Sequence, residues 1–418
     1  MHNGKNKKTI KLVILLGAPL GEQNYERVGI PYLAPFFDVT VFNCMPWLGR
    51  FSNEVLCARR GEIGYITIDS ESDFESAIEN IGPEYAVDFV GRGSHAVQIQ
   101  KILSRLGVKF VVQKTGALPV ASLLTKISRL FSGAKTVEIR NAMKASNIES
   151  DVVAPRKINV LWTKINNAIA IRRHLIAPDV ALLAGSKSLD YWTKKARQII
   201  WIGSQDYYLF KSAQAKNREG CQTNEITRFV LFIDDCLPYA SDWKLLNIEP
   251  PVVAASYYLS ILKFFERIEK DFNLPVVIAA HPNGAEIHNY GNNFGGRQVI
   301  SGQVNALVLE SSLVLTHAST ATSFAILARK PIIIITTAEL RDSFYGASIE
   351  NLAKSIRQKV LVVDELSNKV ASIRLPQVNE RLYRRYECNY LKNERSNEKT
   401  PWGDFIKYAL STTNPSKS

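Results

Sequence analysis

Two neighbouring carboxylates, Asp234 and Asp235, close an apolar run, RFVLFI, that begins at Arg228. Further along, VVIAA opens onto His281-Pro282-Asn283, and SLVLT opens onto His317-Ala318-Ser319-Thr320. These residue types in these places can do definite chemistry. A carboxylate serves as general base toward a hydroxyl or as nucleophile on an activated carbon. A histidine ring donates to phosphate or sugar oxygens, and hydroxyls with free N–H groups at a helix start hold an anion. Plainer readings stay open for each residue: two aspartates capping a turn, or a histidine satisfied within the fold.

Such groups need rigid elements to aim them. Apolar runs of four to six residues that stop at polar residues are the mark of strands buried on both faces, and such strands carry ligand-binding groups at their carboxyl ends. In the first half the pattern predicts strands over 10–16, 39–44, 64–68, 85–90, 108–112, 180–184 and 199–202. In the second it predicts them over 228–233, 276–280, 312–316, 332–336 and 359–363. Helical stretches lie between, as over 94–106, where Val97, Ile99, Ile102, Leu103 and Leu106 largely cover one face. Alternating strand and helix implies parallel sheets covered on both faces. The polar run KSAQAKNREGCQTN interrupts the alternation and predicts a linker over 211–225. The expected organisation is therefore an α/β chain of GT-B architecture, two Rossmann-like domains facing across a cleft. A first domain spans 1–210 and a second 226–375, with a tail over 376–418 that carries Trp402 and Phe405 and either packs back across the cleft or stays loose. Strand-end loops of the first domain offer Arg92, Ser94, Gln113 and Lys114 as candidate acceptor or donor contacts. Neither half has GxGxxG after its first strand and no GxxxxGK[ST] occurs, which argues against nicotinamide and P-loop chemistry.

Composition narrows the class. With 418 residues, 46% hydrophobic and 22% charged, the chain is long enough for two cores and too apolar for global disorder. Cys44, Cys57, Cys221, Cys236 and Cys388 show no metal-ligand spacing, so neither a disulfide framework nor structural zinc is expected, and no metal is assigned. The apolar stretch near the amino terminus is only about eight residues long and reads as a first strand rather than a signal peptide. No window approaches the roughly twenty apolar residues of a membrane span, which predicts a cytoplasmic protein, soluble or peripheral. The net charge is +13, and residues 120–175 hold ten Lys or Arg against three acids. Leu123, Leu124, Ile127, Leu130 and Phe131 fall at helical spacing beside Lys126, Arg129 and Lys135, the pattern of a helix lying on the anionic inner face of a membrane. A basic solvated face is the alternative. No nucleic-acid-binding motif accompanies the charge.

The run FIDDCLPYASDW, the helix SYYLSILKFFERIEKDF, VVIAAHPN and LVLTHASTATSFAILARKPIIIIT together resemble bacterial GT-B glycosyltransferases that use CMP-activated nonulosonic acids. They are most similar to the retaining β-Kdo transferase modules of capsule and lipopolysaccharide O-antigen assembly. The resemblance spans residues 228–337, about a quarter of the chain; the first half matches only in architecture. It implies that His281 of the His-Pro pair contacts the cytidine nucleotide and that Ser319 with Thr320 binds its phosphate. It implies that Asp234 is the carboxylate nucleophile, with Asp235 the alternative, and that no cofactor is needed beyond the CMP-sugar, because the leaving group is already a good anion. The expected partners are the nucleotide sugar and a glycan or lipid-linked glycan acceptor. Asn283 departs from the family, standing where a basic residue often follows the pair. A UDP- or CDP-linked donor, or an inactive scaffold, are the other readings.

Overall fold

The computed structural model describes residues 10–50, 61, 63–91, 94–116, 118–119, 174–219, 228–240, 243, 248–282, 284, 287, 289–366, 372–396 and 400–413. The described chain divides into two units. Unit 1 holds 10–115, 174–205 and 392–413, and unit 2 holds 206–391 together with 116, 118 and 119.

Unit 1 is a sheet of seven strands: β1 Lys11–Leu16, β2 Asp38–Asn43, β3 Gly64–Thr67, β4 Tyr85–Phe89, β5 Lys109–Lys114, β6 Val180–Leu183 and β7 Gln198–Trp201. They lie in the order β3-β2-β1-β4-β5-β6-β7, and every pairing is parallel. The strand period of two sends alternate residues of β1 into different layers. Leu12, Ile14 and Leu16 pack with Tyr25, Ile30, Trp402 and Phe405, whereas Val13 and Leu15 pack with Phe74, Ile99 and Leu103. Each such aliphatic side chain contributes roughly 1.5–3 kcal/mol by leaving water. The covering helix Glu71–Ile81 starts where Ser70 Oγ accepts from Asp73 N at 3.1 Å and stops at left-handed Gly82, turning Phe74 and Ile78 inward.

Unit 2 is a six-stranded parallel sheet in the order β10-β9-β8-β11-β12-β13. Its strands are β8 Val230–Ile233, β9 Val276–Ala280, β10 Val299–Ser301, β11 Leu313–Thr316, β12 Ile332–Thr336 and β13 Val360–Val362. Every residue of β8, β11 and β12 is buried. The helix Ala254–Phe272 turns Tyr257, Tyr258, Ile261, Phe264, Phe265 and Ile268 to the core at helical spacing, and Asn273 ends it in the left-handed region. Both sheets reverse their order beside the first strand, between β1 and β4 and between β8 and β11. Two doubly wound units in one chain make the α/β class GT-B.

The polar stretch that predicts a linker over 211–225 is helical through its first part. A helix spans Gln205–Glu219, and the chain passes from unit 1 to unit 2 at its first turn. The chain also returns to unit 1 at Lys392. There the helix Gly403–Thr413 adds Phe405, Ile406 and Ala409 to the core, and Trp402 precedes it. Gly29, at φ 85°, makes room for this segment, since a Cβ there would lie 1.9 Å from Trp402 Nε1. Among the described residues no helix is long and apolar enough to cross a membrane. Of the basic segment 120–175, residues 120–173 lie outside the described residues.

Candidate functional site

The point where a doubly wound sheet reverses its order leaves a crevice outside the strand ends, and ligands of α/β folds bind there. In unit 2 that point lies between β8 and β11. Asp234 and Asp235 follow β8 immediately, and His317 to Ser319 follow β11. The two loops meet: Asp235 Oδ2 accepts from Ala318 N at 3.3 Å and from the Tyr345 hydroxyl at 3.3 Å. The Ser319 hydroxyl also hydrogen-bonds the Asp235 carboxylate. Cys236, at φ 51°, then turns the chain sharply, and its carbonyl accepts from Tyr239 N and Ala240 N at 2.9 and 2.8 Å. A buried non-glycine residue in the left-handed region stores about 1–2 kcal/mol of strain, a cost that persists where the surroundings impose the turn.

The two carboxyls differ in how readily they ionise. Asp234 is 2% exposed. Burial first, and then the charge of Asp235, push its pKa up to about 8, while the amides of Cys236, Asp235 and His281 draw it down. Neither Asp234 oxygen completes a hydrogen bond of ordinary geometry. Asp235 is 8% exposed, and burial raises its pKa to about 6 against the opposing pull of Ser319, Ala318 and Tyr345. Burial therefore holds both carboxyls toward their protonated form, Asp234 the more strongly, and Asp235 is the more readily ionised of the two. The expectation that Asp234 is the attacking carboxylate meets a physical obstacle, because a carboxyl with both oxygens sealed from solvent, and pushed by burial toward its protonated form, is a poor nucleophile. Asp235 is the better suited to that role.

His317 is fully buried in the core. Its Nδ1 lies 2.8 Å from the Ile335 carbonyl, which only accepts, so Nδ1 carries the hydrogen. Burial lowers its pKa to about 4, so the ring is neutral and Nε2 accepts from the Tyr257 hydroxyl at 2.9 Å. Both ring nitrogens are thus engaged inside the protein. His317 braces β11 against the helix Ala254–Phe272 and offers no nitrogen to a ligand, the plainer of the two readings that the sequence left open.

The other nucleotide candidates are placed differently. His281 is partly exposed at the end of β9 with its amide toward Asp234; Pro282 is exposed, and Asn283 lies outside the described residues. Ser319 is half-buried and Thr320 exposed, ahead of the short helix Thr322–Leu327, whose N-cap is Ala321. Below them Ser323 Oγ lies 2.6 Å from both the Thr320 carbonyl and the carboxylate of Asp206, whose pKa is raised by burial. Asp235 and Ser319 are therefore brought together, with the His281 amide toward the adjoining Asp234. Tyr257, Tyr258 and Tyr345 join them as neighbours that sequence reading did not single out. Asp234 raises the pKa of both Tyr257 and Tyr258 by its charge, though burial is the larger cause. Their sequence signal was the apolar face of SYYLSILKFF, which reads as ordinary core.

In unit 1, Gln113 and Lys114 end β5 and line a pocket of about 400 Å³ with Asp88, Gly91, Trp192 and Thr193. Lys114 Nζ pairs with Asp190 at 3.0 Å. Arg92 lies outside the described residues, and Ser94 is placed only as the first residue of the helix Ser94–Arg105. Among the described residues no three His, Cys, Asp or Glu side chains cluster in a way that would hold a metal ion.

No protein-family model matches the chain, and no curated protein does. Solved structures resemble it over nearly its full length. The UDP-GlcNAc 2-epimerase from Methanocaldococcus jannaschii is 12% identical at a TM-score of 0.44, covering 96% of this chain and 100% of its own. Acinetobacter baumannii MurG is 10% identical at 0.46, covering 96% and 99%. The wall teichoic acid polymerase TagF is 10% identical at 0.47, covering 96% and 90%.

Proposed function

We propose that this chain is a glycosyltransferase that moves a Kdo-like nonulosonic acid from a CMP-activated donor to a glycan or lipid-linked glycan acceptor in capsule or lipopolysaccharide O-antigen biosynthesis. The observation that carries the reading is the buried carboxyl pair beside the strand-order reversal of unit 2, where Asp235 is hydrogen-bonded by Ala318 and Tyr345 and Asp234 is held the more strongly toward its protonated form. Two titratable groups whose environments push their pKa values apart are how a site holds base and acid at once. Asp235 attacks the anomeric carbon as the bond to the CMP phosphate breaks and its electrons leave with CMP. The acceptor oxygen then bonds to that carbon as its bond to Asp235 breaks, and the released carboxylate takes up the hydroxyl proton, so the configuration is retained over two inversions. Asp234 holds the proton that keeps the pair at a single negative charge while the anionic donor approaches. His281, on the rim, donates to the nucleotide, and Ser319 and Thr320 address its phosphate. No cofactor is assigned beyond the donor itself. The work is placed at the inner face of the cytoplasmic membrane, where a lipid-linked acceptor resides, with the basic segment 120–173 as the contact.

Thermal unfolding with CMP, UMP, UDP and CDP tests the donor. CMP at about a hundred times its dissociation constant should add roughly 2.7 kcal/mol, more than the others add. His281→Ala should remove most of that gain while keeping the backbone amide that faces Asp234. A larger effect of UDP or CDP moves the donor to that nucleotide, and no effect of any nucleotide leaves an inactive scaffold. With a CMP-nonulosonic acid, Asp235→Asn should cut turnover by about a thousandfold or more with CMP binding kept. Intact-mass analysis should find the glycosyl adduct on Asp235. An adduct on Asp234 or an inverted product would overturn the assignment.

A further inference from the structure

The loop that leaves the carboxyl pair builds a second feature in unit 2, an open pocket of about 520 Å³ lined by Pro238, Tyr239, Trp243, Ile248, Glu249 and Ile287 among others. The geometry points to this pocket as the seat of a neutral pyranose ring of the acceptor, stacked on the open face of Tyr239 with its hydroxyls donating to Glu249. Assigning the ring to the acceptor rests on the glycosyl-transfer reading; that the pocket binds a neutral sugar does not.

Tyr239 is 41% exposed, yet it is not a loose surface side chain. Its ring stacks on the buried ring of Tyr258, centroids 6.2 Å apart and planes 25° apart, and Tyr258 packs edge-on against Phe294 and Tyr257. One face of Tyr239 is thus backed by core. A pre-set aromatic ring offers contact area at little entropic cost, and its electron-rich face attracts the polarised C–H bonds of a sugar.

The pocket is mechanically continuous with the carboxylates. Tyr239 N donates to the Cys236 carbonyl at 2.9 Å and Trp243 Nε1 to the Leu237 carbonyl at 2.7 Å. Trp243 also packs edge-on to Tyr345, the same tyrosine that bonds Asp235. Pro238 follows Asp235 by three residues, so their Cα atoms lie within about 11 Å whatever the loop's course. The pocket and Asp235 are thus built on one loop and share Tyr345 as a neighbour.

Charge selects the occupant. Among the described residues of the lining Glu249 is the one that carries a charge, and the Asp235 carboxyl belongs to the same loop. A phosphate or a nonulosonate carboxylate would meet like charge, whereas a neutral ring brings hydroxyl donors to a carboxylate acceptor.

Saturation-transfer NMR of the full chain with methyl glucosides, galactosides and mannosides of both anomeric forms tests this, with circular dichroism to check folding. At least one glycoside should bind through its ring C–H protons. Tyr239→Ala should weaken it tenfold or more, Tyr239→Phe should keep it, and Glu249→Gln should weaken it three- to tenfold. The CMP thermal shift should be the same in all three variants. The inference is overturned if no glycoside binds, if binding ignores Tyr239→Ala, or if Tyr239→Ala abolishes the CMP shift, which would make a nucleotide the occupant. Glycoside binding without any CMP effect would instead strike the donor reading and leave the pocket standing.

Discussion

At the scale of single residues, Asp234 makes a stability prediction independent of any substrate. Its carboxyl titrates near 3.9 in the unfolded chain and near 8 in the folded one, so the folded state holds a proton that the unfolded state has released. Stability from this group must then fall as pH rises from about 4 to about 8, by at most about 1.4 kcal/mol per unit. Asp235 adds the same sign over the lower part of that range, up to about 6. Urea unfolding at pH 5, 6.5 and 8 should show Asp234→Asn losing less stability with pH than the parent and exceeding it at pH 8. An equal slope in both proteins would mean that Asp234 is already ionised when folded. His317→Ala should act oppositely, costing about 2–4 kcal/mol because it opens a cavity and leaves the Ile335 carbonyl and Tyr257 hydroxyl without their partner, with CMP affinity of the folded fraction unchanged. The sequence showed both aspartates and both histidines at strand ends. It did not show which histidine is inside, because that depends on Tyr257, sixty residues upstream and on another element.

Elements were legible in proportion to their apolar length. The strands β8, β11 and β12 announce themselves as unbroken runs bounded by polar turns, which is how the site's position at strand ends could be read before any coordinates. The three-residue β10 escaped because its surroundings, RQVIS, hold only two apolar residues in a row, whereas the equally short β13 sits in the longer apolar run VLVV. The helix Gln205–Glu219 escaped for the converse reason: its composition is polar enough to mimic a linker, while Phe210, which is buried in unit 2, anchors it. Pairings between elements are where sequence reading stopped, since Gly29 and Trp402 meet across most of the chain length. Gly29→Ala tests that contact. The substitution forces an L-residue into positive φ, about 1–2 kcal/mol by itself, and displaces an indole besides. The midpoint of unit 1 unfolding should drop by several degrees with a change in tryptophan fluorescence, and an unchanged midpoint would show that the helix Gly403–Thr413 contributes little.

For the whole molecule, the excursion of the chain out of unit 1 and back makes unit 1 discontinuous. Removing everything after Leu391 takes Trp402, Phe405, Ile406 and Ala409 out of its core, four buried side chains together contributing several kcal/mol. Limited proteolysis of the shortened chain should then cleave unit 1 much faster than in the parent and leave a protected fragment from unit 2; equal protection of both would contradict the contact. The same discontinuity imposes an order on biosynthesis. Unit 1's strands are synthesised before unit 2, but the layer that seals one face of them follows unit 2, with some 200 residues between. At roughly 5–20 residues per second, β7 waits on the order of 10–40 seconds for Phe405, and β1 about twice as long, while unit 2 already has all its own pieces. The half that is made first is finished second, and in that interval the apolar face of the nascent sheet is the one a chaperone would have to shield.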